Sequence, residues 1–298
     1  MIRNFLKRAF AFAGLVTATL AAAPAQAQQE AKPALWEVSD PDTTVYLFGT
    51  IHLLPQDYDW KTRTIDSAIA KADTLFVETI VDPRNPQAIA AELARLGFSA
   101  DLPPIANRIH PAKRAHLEAA IAKSGIPRPL FDKMETWAAA FTLLGVQFRE
   151  LGLQGQHGVE ETLRQAFATA GKPIGQLETN AQQLGFFDTL PQDAQRALLE
   201  GAIEPSAKMR GDFAGMLQSW VSGDVDAIGR TFNSSLAASP ELRAALLVRR
   251  NANWSEWIAN RMISPGTVLV AVGAGHLAGD QSVQRYLESR GYTVRRVQ

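Results

Sequence analysis

Two nine-residue stretches of this chain share one hydrophobic pattern. Val45-Tyr-Leu-Phe-Gly-Thr-Ile-His-Leu53 and Leu269-Val-Ala-Val-Gly-Ala-Gly-His-Leu277 each run through apolar residues, then glycine, two residues, histidine and leucine. A short apolar run rich in branched or aromatic residues predicts a buried strand. The glycine after it marks a turn off the strand end or a close backbone approach. If the two strands are parallel neighbours, His52 and His276 stand at one edge of one sheet, the edge where open α/β sheets bind ligands.

The rest of the pattern builds around these two runs. Leu35–Val38 and Val45–Phe48, joined through Asp40-Pro-Asp-Thr43, predict a hairpin. Ile65, Ala68, Ile69 and Ala72 recur at helical spacing, and Thr74-Leu-Phe-Val-Glu78 comes next as a strand. Strand, helix and strand within about thirty residues form a right-handed parallel unit by default. Glu78 then lands at the same edge as His52. Residues 82–152 read as a large helical insertion, with a long apolar helix over Pro129–Leu151, whose unpartnered face would be core or a dimer contact. Gly158-Val-Glu-Glu161 opens a helix to Ala170, and Lys172–Glu178 is a strand that also ends in a carboxylate. A second helical region spans about 182–263. The strand Thr267–Val272, a helix Gly279–Ser289 and a terminal strand Tyr292–Val297 close the chain. The expected class is α/β (α+β): a central mixed, largely parallel sheet with flanking helices and the helical insertion.

Composition adds a compartment. Residues 1–27 carry Arg3, Lys7 and Arg8 without an acid, then an apolar stretch and Ala25-Gln-Ala27. This is the layout of a cleaved secretory signal, cut after Ala27, and it implies a periplasmic or secreted protein with no stable membrane span once cleaved. The chain has no cysteine, so it takes nothing from disulfides and has no thiolate chemistry. Cleavage removes three basic residues and leaves a slightly acidic chain, which gives no electrostatic case for nucleic acid. The rest, 28–298, is expected as one domain.

The candidate chemistry comes from the edge residues. Two neutral imidazoles and a carboxylate suit a divalent metal such as Zn²⁺, Mn²⁺, Co²⁺ or Fe²⁺. His52, His276 and Glu78 are the candidate ligands, with Glu78 or a neighbouring glutamate as an alternative general base. Each also has a plainer reading. Glu78 can cap a helix or pair with Arg84, and Glu178 has the same positional logic. Glu160 sits in a first helical turn, where the dipole favours any acid. A helical arginine such as Arg250 is usually solvated. His110, His116 and His157 lack the matched context and read as surface or structural, while Trp254 and Trp257 read as packing. The sequence has no dinucleotide fingerprint, phosphate loop, G-x-S-x-G elbow or H-E-x-x-H.

At Leu35-Trp-Glu-Val38, Leu47-Phe-Gly-Thr-Ile-His52, Val77-Glu78, Gly158-Val-Glu160, Leu177-Glu-Thr179, Arg250-Asn251 and Val272-Gly-Ala-Gly-His-Leu277 the sequence resembles the TraB/GumN/PrgY family, which includes the Tiki metalloproteases. The exported GumN-like branch is the nearest in kind. The resemblance implies a compact α/β core with a helical insertion and metal-dependent hydrolysis of a peptide or protein, with Mn²⁺ or Co²⁺ favoured. It matches His52, Glu78 and His276 to histidine and glutamate site positions and Arg250 to a site arginine that would bind a substrate carboxylate or developing oxyanion. The family often carries aspartate where Glu160 stands. Other functions fit the same relationship: a binding protein for peptide, haem or metal, or an accessory factor for envelope polysaccharide export. Oligomeric state is not written in the sequence.

Overall fold

The two Gly-x-x-His runs are adjacent parallel strands, with Phe48 opposite Ala271 and Thr50 opposite Gly273. The computed structural model describes residues 31–298 apart from 57, 82–84, 154 and 237–238. The expected leader and Arg84 lie outside the described residues. The strands are β1 (Leu35–Ser39), β2 (Thr43–Thr50), β3 (Thr74–Val77), β4 (Ile174–Gln176), β5 (Gly266–Gly273) and β6 (Val294–Arg296). They form one mixed sheet in the order β4-β3-β5-β2-β1-β6. β4, β3, β5 and β2 are parallel, and β1 is antiparallel to β2 and β6. The expected α/β class holds. β2 and β3 are parallel and joined by the helix Arg63–Lys71, but β5 inserts between them.

Alternation along the strands sends apolar side chains to both faces. Tyr46, Phe48, Leu269 and Ala271 pack on one side with Ile65, Phe167 and Trp220. Val45, Leu47, Val268, Val270 and Val272 pack on the other with Trp254, Ile258 and Leu287. Burial on both faces is why these strands read as unbroken apolar runs. The hairpin turn is set by Asp40, whose carboxylate accepts from the amides of Thr43 (2.7 Å) and Asp42 (3.1 Å).

The helices between β3 and β4 build a second apolar cluster around Ile105, Leu117, Phe131, Trp137 and Leu143, which Leu199 and Ile203 complete from the later helical region. One predicted helix is two. Arg128–Lys133 and Thr136–Glu150 are separated at Met134, which adopts an extended conformation. There the chain pairs with the preceding loop, Glu135 N–H donating to Gly97 O at 2.8 Å and Phe98 bridging Met134. Buried Arg108 clamps the break by donating to the carbonyls of Met134, Asp132 and Pro103. Apolar periodicity survives such a break, so the sequence pattern runs straight through it. Among the described residues no helix is long and apolar enough to cross a membrane.

A candidate active site at the ends of the parallel strands

Each strand of the parallel set delivers one group to the same edge. Ile51-His52 follows β2, Glu78 follows β3, Glu178 follows β4 by two residues, and His276 sits on the short 3-10 turn after β5. The helix Arg249–Arg261 adds Arg250 and Asn251, and the first turn of the helix Val159–Thr169 adds Glu160. The fold thus brings together all five residues expected from the sequence. Strand and helix are locked at the His52 loop: Val159 N–H donates to Ile51 O at 3.0 Å. A Cβ on the preceding Gly158 would stand 2.1 Å from His52 O, so only glycine permits this approach.

The floor is a buried ionic cluster. Arg250 Nε donates to Glu178 Oε1 at 2.9 Å, and Nη2 to Glu178 Oε2 at 2.8 Å and Glu78 Oε2 at 2.6 Å. Nη1 reaches His276 Nε2 at 3.2 Å and Leu246 O at 3.5 Å. All five guanidinium N–H groups therefore have partners within the protein. The guanidinium also lies over Trp254, 4.6 Å from the ring centroid. Gly273 N–H donates to the other oxygen of Glu78 at 2.8 Å. Burial works to raise the Glu78 carboxyl, but Arg250 outweighs it and holds the group at about 2. Burial pushes Glu178 up despite the same arginine.

Both imidazoles are gripped by Nδ1. Buried Asn251 donates its amide N–H groups to two backbone carbonyls, Gln281 O at 2.6 Å and His276 O at 3.3 Å. Its Oδ1 must then accept, and it faces His276 Nδ1 at 2.6 Å. His276 consequently carries its proton on Nδ1 and presents a lone pair at Nε2. Burial depresses this imidazole to about 3, so it is neutral at physiological pH. His52 Nδ1 lies 2.7 Å from Glu160 Oε1, which also accepts from the Thr50 hydroxyl. The Glu160 carboxylate raises His52 to about 9. The His52 side chain is 64% exposed at the cavity mouth, where solvent screens part of that attraction. Sequence reasoning weighed Glu160 as a helix-dipole acid and gave Asn251 no role. Both act through tertiary contacts that spacing along the chain does not report.

The space between these groups lies over Gly273. A Cβ built there would stand 3.3 Å from Glu78 Oε1, 3.5 Å from His52 Nε2 and 3.7 Å from His276 Cδ2. This pocket opens into a cavity of about 380 Å³ walled by Phe148, Phe187, Phe213, Met216, Trp220 and Phe232. An apolar wall around a few convergent polar groups is the usual form of a small-molecule or catalytic site. The three other histidines lie outside it; His110 caps a 3-10 turn by accepting from Ala112 N–H. Trp257 packs on Phe76, and Trp254 packs on the His276 ring at 4.5 Å.

The buried imidazole makes a pH prediction. From 6.5 down to about 3 the unfolded chain binds a proton at residue 276 that the folded chain does not, so stability falls with acid. His52 opposes this slope near 6.5 and drops out about a unit below it, where its raised value leaves it protonated in both states, so the His276 slope is clearest at the acid end of the window. With chelator present, urea midpoints between pH 6.5 and 5 should fall by up to roughly 1.4 kcal/mol of stability per pH unit. A flat profile over that window would show that the fold accepts the proton.

A sequence profile of the TraB/PrgY/gumN family matches residues 34–296. The chain is 26% identical over 242 residues to "Uncharacterized protein YbaP" of Escherichia coli (strain K12), covering 81% of this chain and 87% of that protein. It is 21% identical over 267 residues to "Uncharacterized protein" of Treponema pallidum (strain Nichols), covering 86% and 80% respectively. No solved structure matches the chain. The family profile covers the whole sheet, β1 through β6, with every group that meets at its edge, and the chain belongs to the TraB/PrgY/gumN family.

Proposed function

We propose that this protein is an exported, divalent-cation-dependent hydrolase acting on a peptide bond. The observation that carries the reading is the matched pair of imidazoles. Each is held at Nδ1 by an oxygen acceptor, Glu160 or Asn251, and each turns Nε2 inward. Ligand histidines are commonly oriented in this way by an outer partner. The space over Gly273 is bounded by Glu78 Oε1, His52 Nε2 and the His276 ring, and imidazole and carboxylate are donor types that a small divalent cation takes. Among the described residues no three His, Asp or Glu side chains stand close enough together to hold a metal ion as they are placed. Arg250 covers Nε2 of His276 and Oε2 of Glu78.

His276, Glu78 and His52, the last after giving up the proton that Glu160 holds on it, would hold the ion, with Mn²⁺ or Co²⁺ favoured by the family relationship and Zn²⁺ compatible with the donors. When bound, such an ion lowers the pKa of a coordinated water and polarises a carbonyl. The remaining work belongs to the chain itself. Asn251 and Glu160 fix the two rings, and Arg250 keeps Glu78 anionic. Gly273 leaves the reacting space open, and the aromatic walls exclude bulk water and seat a peptide. Glu178 serves by anchoring Arg250. For Arg250 to bind a substrate carboxylate or oxyanion it must release one of its present partners.

The test is metal content and turnover. The mature chain, untagged, should retain close to one Mn²⁺ or Co²⁺ per molecule and cleave members of a peptide library. Because His52 stands exposed at the mouth, His52→Ala should leave the melting temperature within a few degrees while lowering turnover at least about 100-fold. No bound ion and no cleavage in the intact chain would sink the reading. It would favour instead a periplasmic binding protein, to which the fully engaged donors of Arg250 are equally suited.

A further inference from the structure

The cavity beside the ionic floor has two kinds of wall, and they differ in how firmly they are held. Trp220 is fixed: its indole N–H donates to Gly49 O at 2.7 Å, and Phe48 and Trp60 pack against its ring. Phe187 is fixed by Phe141, edge-on at 4.6 Å, and by Trp137. Phe232 rests on Gly275, where a Cβ would stand 2.6 Å from the ring. That contact accounts for the glycine at 275, where the matching motif has Ile51. The remaining wall is Phe213 and Met216, three residues apart on the helix Ser206–Val221 and on the same stripe as Trp220. Both are half-buried, and in this helix only Trp220 and Val221 are buried outright. The helix is thus anchored at its C-terminal end, and the wall ahead of the anchor is the adjustable one.

The chemistry is as uneven as the packing. The ionisable residues that line the cavity, His52, Glu78, Arg250 and His276, gather at the Gly273 end and are already paired there. Neither a carboxylate nor a cation lines the Phe213 end. A charged ligand side chain placed there would be buried without a partner, whereas an apolar one gains by leaving water. A volume of about 380 Å³ is near the small end of ligand cavities, with room for one large side chain and the backbone beside it rather than for a run of residues.

We infer that the Phe213–Met216 end of the cavity is a specificity subsite for one bulky apolar side chain of the substrate, adjacent to the bond held over Gly273, and that these two residues set the size it admits. The inference rests on the peptide reading above for the nature of the ligand, but it needs no bound ion.

The probes are capped pentapeptides, Ala-Ala-X-Ala-Ala, with Trp, Phe, Ala or Asp at X, offered to the untagged mature chain after treatment with chelator. By calorimetry the Phe peptide should bind roughly tenfold more tightly than the Ala peptide, from the apolar area it buries, and the Asp peptide no more tightly than the Ala peptide. Met216→Trp fills the subsite and should abolish the preference for Phe while sparing the Ala peptide. Phe213→Ala enlarges it and should move the preference from Phe to Trp at X. If either variant fails to fold, methionines carrying a ¹³C methyl group answer in the unaltered chain. The Phe peptide should move the Met216 signal and not those of Met134 or Met262, which belong to other apolar clusters. Equal affinity across the four peptides, no affinity for any of them, or an unmoved Met216 signal at saturating Phe peptide overturns the subsite. Cleavage after ion loading that is indifferent to X also overturns it and leaves the hydrolase reading standing. Selective binding of the Phe peptide without cleavage supports the subsite and counts against the hydrolase reading alone.

Discussion

Arg250→Met in the chelator-treated protein should cost about 3–5 kcal/mol of stability at pH 7.5, the range expected when one member of a buried ionic cluster is removed. The substitution leaves Glu78 and Glu178 facing each other in the core, both less than a tenth exposed. Glu178 is already raised by burial, and Glu78 is held down at about 2 chiefly by the arginine. Without that arginine both carboxyls must take up protons or repel each other. The loss should therefore shrink as the pH is lowered toward 5, where protonation relieves it. Adding Glu178→Gln should recover part of the loss, because the two sites share one network. Urea denaturation of the single and double variants at both pH values measures this. A cost below about 1 kcal/mol would mean that solvent reaches the cluster and that the guanidinium is not what keeps it ionised.

Gly273→Ala should lower turnover at least about 100-fold, at a stability cost of roughly 1–2 kcal/mol from crowding the pinned Glu78 carboxylate. The backbone of Gly273 lies at φ −50° and ψ 135°, a conformation alanine adopts without strain, and its N–H bond to Glu78 is retained. What changes is space. The new methyl group stands 3.3 Å from Glu78 Oε1 and 3.5 Å from His52 Nε2. Glu78 is pinned by Arg250 and by the Gly273 amide, so it cannot retreat to make room. Ion binding should weaken in parallel with turnover. A variant with unchanged Co²⁺ affinity and unchanged turnover would move the reacting centre away from Gly273. The comparison separates occupancy of the site from loss of the fold, which substitutions at Arg250 do less cleanly.

Much of the frame was legible before any coordinates. The repeated apolar run, glycine and histidine stated that two strands end alike. Parallel pairing of β2 with β5 then puts His52 and His276 on one edge, because the glycines that end both runs lie only one register position apart. Glu78 was legible from a strand that ends in a carboxylate, and Glu178 from another. The break between Arg128–Lys133 and Thr136–Glu150 was not legible, since it depends on Gly97, Phe98 and Arg108, residues 26 or more positions away from Met134.

The sequence by itself determined the strand ends and the residue types that stand on them, because strand period, turn chemistry and apolar runs are local properties of the chain. The tertiary structure decided how those residues are chemically poised. Asn251 selects the lone pair of His276, Glu160 raises and orients His52, and Arg250 keeps Glu78 ionised. Each of those effects is a contact of 3.2 Å or less between residues 25 to 172 positions apart in the chain. Hydrogen bonds and charge interactions act over a few ångströms in space, and only the packed sheet and helices bring these groups within that range.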